Sequence, residues 1–122
     1  MSVVFEVAQL LNASGIKYLK RAYPFSIPNS SLIKIKPDEV LLSVSEIRTS
    51  PITYGSDRNT EFDQEIQIKI CYPTTNQVNM DTFENSIVSF LYKKQFNLLQ
   101  NMGHYIDPAH HVEVDFNFRR RK

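Results

Sequence analysis

Glu65-Ile-Gln-Ile-Lys-Ile-Cys-Tyr72 alternates without a break: Ile66, Ile68, Ile70 and Tyr72 fall on one face, and Glu65, Gln67, Lys69 and Cys71 on the other. Successive strand residues point to opposite sides, so a period of two predicts a strand with one buried and one polar face. Pro73, which has no N–H to give a ladder, ends it. Val112-Glu-Val-Asp-Phe-Asn-Phe118 repeats the pattern, with Val112, Val114, Phe116 and Phe118 toward the core and Glu113, Asp115 and Asn117 toward solvent or a partner. A third strand is read at Val40-Leu-Leu-Ser-Val-Ser-Glu-Ile47, where Leu42 and Val44 oppose Ser43 and Ser45. Half-buried strands of this kind belong to sheets covered on one side.

Helical periodicity flanks these strands. Val3, Val7, Leu10 and Leu11 recur at helical spacing after Ser2, a candidate N-cap, and Gly15 offers a left-handed stop, which predicts a helix over residues 2–14. Residues 16–28, interrupted by Pro24 and Pro28, read as an edge strand or extended segment. A second helix opens near Asp81, with Glu84 placed as in a capping box. Its stripe of Phe83, Ile87, Phe90, Leu91 and Leu98 carries it to just before Gly103. Helix, strands, helix, strand predicts an α+β fold: an antiparallel or mixed sheet of about four or five strands with two helices packed on one face. The 122 residues make one domain, 1–122.

Residues 49–63, with Gly55, Ser56, Asp57, Arg58 and Asn59 at their centre, are mostly polar. Hairpin loops usually have roughly two to five residues, so this connection predicts a long mobile arm that orders on a partner. The net charge of +1 is unevenly spread. Residues 119–122 are all basic; the 14 basic residues less these four leave 10 against 13 acidic ones, a charge of −3. The run reads as a basic tail that either meets phosphate or an acidic surface, or solvates a strand end. Partner-contact candidates are therefore Tyr54, Asp57, Arg58, Glu61 and Asp63 of the arm and Arg119, Arg120 and Arg121 of the tail, with Tyr18 and Tyr23 as further aromatic anchors.

Catalytic patterns are missing from the sequence. Three glycines cannot write a phosphate-binding loop. Cys71 lies within a strand without a neighbouring base and reads as a small half-buried side chain. His104, Asp107, His110 and His111 are metal-type residues, but Pro108 makes their segment a turn, and the plainer reading is a polar connection. The carboxylates Asp38/Glu39 and Glu61/Asp63/Glu65 read as solvated surface. No cofactor, metal or catalytic residue is expected. One cysteine permits no intrachain disulfide and points to a reducing compartment, and neither a secretory leader nor a stretch of about 18 apolar residues is legible.

Three stretches carry a family resemblance: Tyr54-Gly-Ser-Asp57 with Glu65-Ile-Gln-Ile-Lys-Ile-Cys-Tyr-Pro73; Asn79-Met-Asp-Thr-Phe-Glu-Asn-Ser86; and Gly103-His-Tyr-Ile-Asp-Pro108 with Phe116-Asn-Phe-Arg-Arg-Arg121. Together they resemble a small tail-module protein of siphophages and prophages of lactic-acid bacteria and their relatives, over about the C-terminal two-thirds of the chain. The element order is similar to that of phage tail terminators (head–tail joining proteins). The resemblance implies a structural homo-oligomer, a hexameric ring on the major tail protein that faces the head–tail connector. It implies DNA only as cargo through the lumen, no membrane, and a place at the head-proximal end of the virion tail after assembly in host cytoplasm. It supplies no catalytic residue. The alternatives are a head-completion or connector protein and a small nucleic-acid-binding module.

Overall fold

The structure, a computed structural model, describes the backbone of residues 2–53 and 60–121 and the side chains of 2–50 and 63–120. Its elements in chain order are α1 (Val3–Asn12), β1 (Leu19–Pro24), α2 (Asn29–Ile33), β2 (Val40–Thr53), β3 (Thr60–Cys71), α3 (Met80–Lys93), β4 (Asn97–Ile106) and β5 (Val112–Arg121). Five strands form one mixed sheet in the order β1-β2-β3-β5-β4, with only β1 and β2 parallel. The α+β class, the mixed sheet and the two substantial helices agree with the sequence.

The alternating residues set the layers. Leu42, Ile70 and Val114 lie side by side across three strands, as do Val44, Ile68 and Phe116, so one face of the sheet is continuously apolar. Both long helices cover it: α1 through Val3, Val4, Val7, Ala8 and Leu11, and α3 through Phe83, Ile87 and Leu91. Burying each such side chain contributes roughly 1.5–3 kcal/mol before chain entropy is counted. Ser2 caps α1 by accepting from the Val4 N–H at 3.3 Å. Asn12 then clamps Ala22 of β1, donating to its carbonyl at 2.9 Å and accepting its N–H at 2.7 Å. The opposite face is polar, yet Leu41, Ser43 and Cys71 on it are buried. The β1–β2 crossover explains this, because Phe25, Ile27 and Leu32 lie over Ser43, Lys69 and Glu113 around a cavity of about 180 Å³.

Three expectations are corrected. The second helix stops at Lys93, ten residues short of Gly103. Gln95 takes a left-handed φ of 71°, its N–H donates to the Tyr92 carbonyl, and the Phe96 N–H donates to the Leu91 carbonyl. This paired closure ends a helix without glycine. Leu98 and Gly103 consequently belong to β4. The cap of α3 is Asn79, which accepts from Thr82 N–H at 3.1 Å, and Glu84 is buried rather than reaching back to the helix start.

The arm is the second correction. Thr49↔Gln64, Ser50↔Asp63, Pro51↔Phe62, Ile52↔Glu61 and Thr53↔Thr60 are ladder pairs, so residues 49–53 and 60–63 continue one long hairpin. Pro51 lies beyond Val44, the last residue of β2 that pairs with β1, where β2 is an edge strand among the described residues. Third, residues 119–121 are not a tail but the last residues of β5, paired with Glu65, Gln64 and Asp63.

Candidate functional site

Of the expected partner-contact residues, Tyr54, Asp57 and Arg58 lie outside the described residues, as do the side chains of Glu61 and Arg121. The structure brings Asp63, Arg119 and Arg120 to one end of the sheet, where the arginines are engaged internally. On the polar face, Arg119 makes a two-pronged ion pair with Asp63, its Nε and Nη2 each 2.6 Å from a carboxylate oxygen. Arg48 joins from β2, 3.6 Å from both Asp63 and Glu65. Asp63 is buried despite its charge, which two guanidiniums compensate.

Arg120 points the other way, onto the core face. Its Nη1 and Nη2 donate to the Glu6 carboxylate of α1 at 2.8 and 2.9 Å, and its Nε and Nη2 to the Gln64 side chain at 3.1 and 2.8 Å. Its guanidinium carbon lies 4.3 Å from the Phe96 ring centre, and the side chain is 7% exposed. A strand's alternation thus sends adjacent arginines to opposite faces. Arg120 ties β5 to α1 and β3, and neither guanidinium is a free charge awaiting an external anion.

The histidine segment is a turn between β4 and β5. The Asp107 carboxylate accepts the N–H groups of Ala109 and His111 at 2.9 and 2.8 Å. Although burial opposes it, these donors, that of His111 foremost, hold the Asp107 carboxyl below its ordinary range. His104 lies elsewhere, with its Nε2 2.7 Å from Glu84, and His111 Nδ1 is 3.0 Å from the Tyr72 carbonyl. The four metal-type residues therefore do not converge, and their segment is a polar connection. Donor atoms of Cys71, Asp107 and Glu113 do lie within 4.8 Å of one another. Burial, with Glu113 and Asp107 beside it, pushes the Cys71 thiol up to about 12, so near neutral pH it remains a protonated thiol, the weaker ligand and nucleophile.

One constellation, with Tyr72 and Glu84 buried and His104 exposed, escaped the sequence reading. The Tyr72 hydroxyl donates to Glu84 at 2.6 Å, and His104 meets the same carboxylate oxygen at 2.7 Å, linking β3, α3 and β4. Burial, then Glu84 itself, pushes the Tyr72 phenol well above its usual range. Its signal in sequence was a glutamate on the apolar side of a helix, one residue after Phe83. The cavity between α2 and β1, about 240 Å³, is lined by Lys20 and Glu39, which pair with each other at 3.5 Å, and by Tyr23 and Ser31, whose hydroxyls lie 2.8 Å apart. Tyr23 is thus tied internally, whereas Tyr18 remains exposed, with Lys17 over its ring at 4.9 Å.

A further exposed surface is β4, tied to the rest of the fold through His104 to Glu84 and Tyr105 to Asp115. All ten of its residues are exposed, including Leu98, Leu99, Met102, Tyr105 and Ile106, and it carries no Asp, Glu, Lys or Arg. No helix among the described residues is long and apolar enough to cross a membrane. No curated protein sequence matches the chain. Residues 2–121 match the family described as "Protein of unknown function (DUF806)", and the chain belongs to that family.

Proposed function

We propose that this chain is a structural subunit of a tailed-phage particle, a tail terminator whose copies form a ring on the end of the tail tube. The ring halts addition of the major tail protein and offers the head–tail connector a docking surface, with DNA passing through its lumen. The observation that carries the reading is β4, an exposed edge strand without Asp, Glu, Lys or Arg that presents Leu98, Leu99, Met102, Tyr105 and Ile106, a surface that folded chains normally cover. A subunit that meets neighbours has a use for such an edge. The sequence resemblance supplies the class of assembly. Because Arg119 and Arg120 are paired internally, partner contact is assigned to the far end of the β2–β3 hairpin and to β4 rather than to the basic run.

The test is reconstitution. Purified protein added to polymerising tail-tube subunits keeps tubes short, and a tag on it labels one tube end in electron micrographs. Tubes that grow to the same length with and without the protein, and carry no end label, refute the proposal.

A further inference from the structure

On the polar face of the sheet, donor atoms from three segments come together. Cys71 closes β3, Asp107 follows the end of β4, and Glu113 stands beside Cys71 in the β3–β5 ladder. Their donor atoms all lie within 4.8 Å of one another. Donors of one tetrahedral zinc ion, each about 2.0–2.3 Å from it, stand roughly 3.3–3.7 Å apart, so shifts of about 1 Å gather this set around an ion.

Two features distinguish the cluster from an ordinary acidic corner. The Cys71 thiol is fully buried and aimed at the two carboxylates; outside them it has the Tyr72 carbonyl at 4.0 Å, a long contact even for sulfur. Next along the same face of β5, Asp115 Oδ1 is buried without a partner among the described residues, while Oδ2 accepts from the Tyr105 hydroxyl at 3.3 Å. That hydroxyl also bonds Glu113. Three carboxylates and a thiol thus crowd one corner, and the ammonium paired with them is Lys69, 3.9 Å from Glu113. Buried negative charge in this excess is costly, and a divalent cation supplies what is missing.

The surroundings leave ligand positions open. The Ala109 and His111 N–H groups both go to Asp107 Oδ1, which orients the carboxylate and leaves Oδ2 to a ligand. Glu113 and Lys69 also line the cavity of about 180 Å³ beneath the β1–β2 crossover. One water takes roughly 30 Å³, so a hydrated ion has room to enter there.

We propose that Cys71, Asp107 and Glu113 bind one divalent cation of the zinc class, with water in the fourth position. A thiolate with two carboxylates suits zinc, whereas magnesium and calcium take oxygen ligands. On binding, the thiol proton leaves to solvent and the sulfur joins the ion as thiolate. The ion ties the β4–β5 turn to the end of β3 and so fixes the Ile106 end of the exposed β4 strand. The site is independent of the terminator reading.

The test uses the full chain, stripped with a chelator and titrated with Zn²⁺ alone and with Co²⁺ alone. One ion per chain, a rise in Tm and a thiolate-to-cobalt charge-transfer absorption that Zn²⁺ displaces are expected. Cys71→Ala should abolish the absorption. Asp107→Asn and Glu113→Gln should each weaken binding by more than the roughly 10–100-fold that outer contacts of a metal site are worth. Circular dichroism checks folding of the variants, and because the cobalt absorption is read on the unaltered chain, the test stands even if Cys71→Ala does not fold. Absence of binding overturns the proposal. So does binding without the thiolate absorption, which would place the ion on exposed histidines such as His104 and His110, or an affinity that Cys71→Ala leaves unchanged. A successful capping assay beside absent metal binding would refute this site and leave the terminator reading standing. A thiolate-bound ion in a protein that caps no tube would do the reverse.

Discussion

Replacing Arg120 by alanine separates a structural arginine from a solvated tail. Arg120 is nearly buried, holds Glu6 and Gln64 through four short donor contacts and lies against Phe96. Truncating one partner of a fully buried ion pair costs about 3–5 kcal/mol. Here the Glu6 side chain is 30% exposed and reaches water on its outer side, which lowers the cost of losing Arg120. Loss of the stem packing and ring contact adds back roughly 1 kcal/mol. The expected loss is about 2–3 kcal/mol, or roughly 10 °C in Tm for a chain of this size. Urea denaturation with an unchanged m-value is the assay, and a double-mutant cycle with Glu6→Gln should return a coupling near 1 kcal/mol. Arg119→Ala, which removes a partly exposed side chain and leaves Arg48 beside Asp63, should cost less. A change below about 0.5 kcal/mol for Arg120→Ala, the size expected of a solvated surface residue, would refute the reasoning.

Three further outcomes are expected. Glu84→Ala leaves the buried Tyr72 hydroxyl without its acceptor and frees His104, so stability should fall by about 2–3 kcal/mol and amide exchange should accelerate in β4; unchanged exchange there would contradict the linkage. The Cys71 thiol should resist a disulfide reagent at pH 8 in the folded chain and react on denaturation. Because its pKa rises from 9.0 to about 12 on folding, the folded chain retains a proton that the unfolded chain releases, and stability should decline as pH climbs through that window; a flat profile there would count against burial. Gln95→Gly relieves a left-handed backbone at the end of α3 and should stabilise the protein by about 0.5–1 kcal/mol on thermal melting, whereas destabilisation would mean that the Gln95 side chain matters.

Legibility in the sequence followed period and distance. The cores of β3 and β5 could be read because alternation is local and unbroken, and α1 because its Ser2 cap precedes the apolar stripe, although the helix closes at Asn12 with Ala13 as its C-cap, before the expected glycine stop. β4 could not, since Leu98 sits seven residues after Leu91 and extends the helical stripe, and the helix ends on glutamine rather than glycine. Likewise, the polar residues at 49–53 and 60–63 read as loop because their pairing is with each other rather than with a core. The arginine run was recognised as chemistry but misplaced as a tail. Its partners are distant along the chain, Asp63 by 56 residues and Glu6 by 114, and no local pattern reports such pairs. Glu84 was read as a cap for the same reason: Tyr72 and His104 reach it only through the fold.

Deleting the gene from a phage or prophage that carries it, and measuring tail lengths in the lysate by electron microscopy, tests the central claim most directly. The terminator reading predicts headless tails that run past their normal length. Tails of normal length lying beside unjoined heads would make the protein a connector instead, and intact infectious particles would contradict the assembly role altogether.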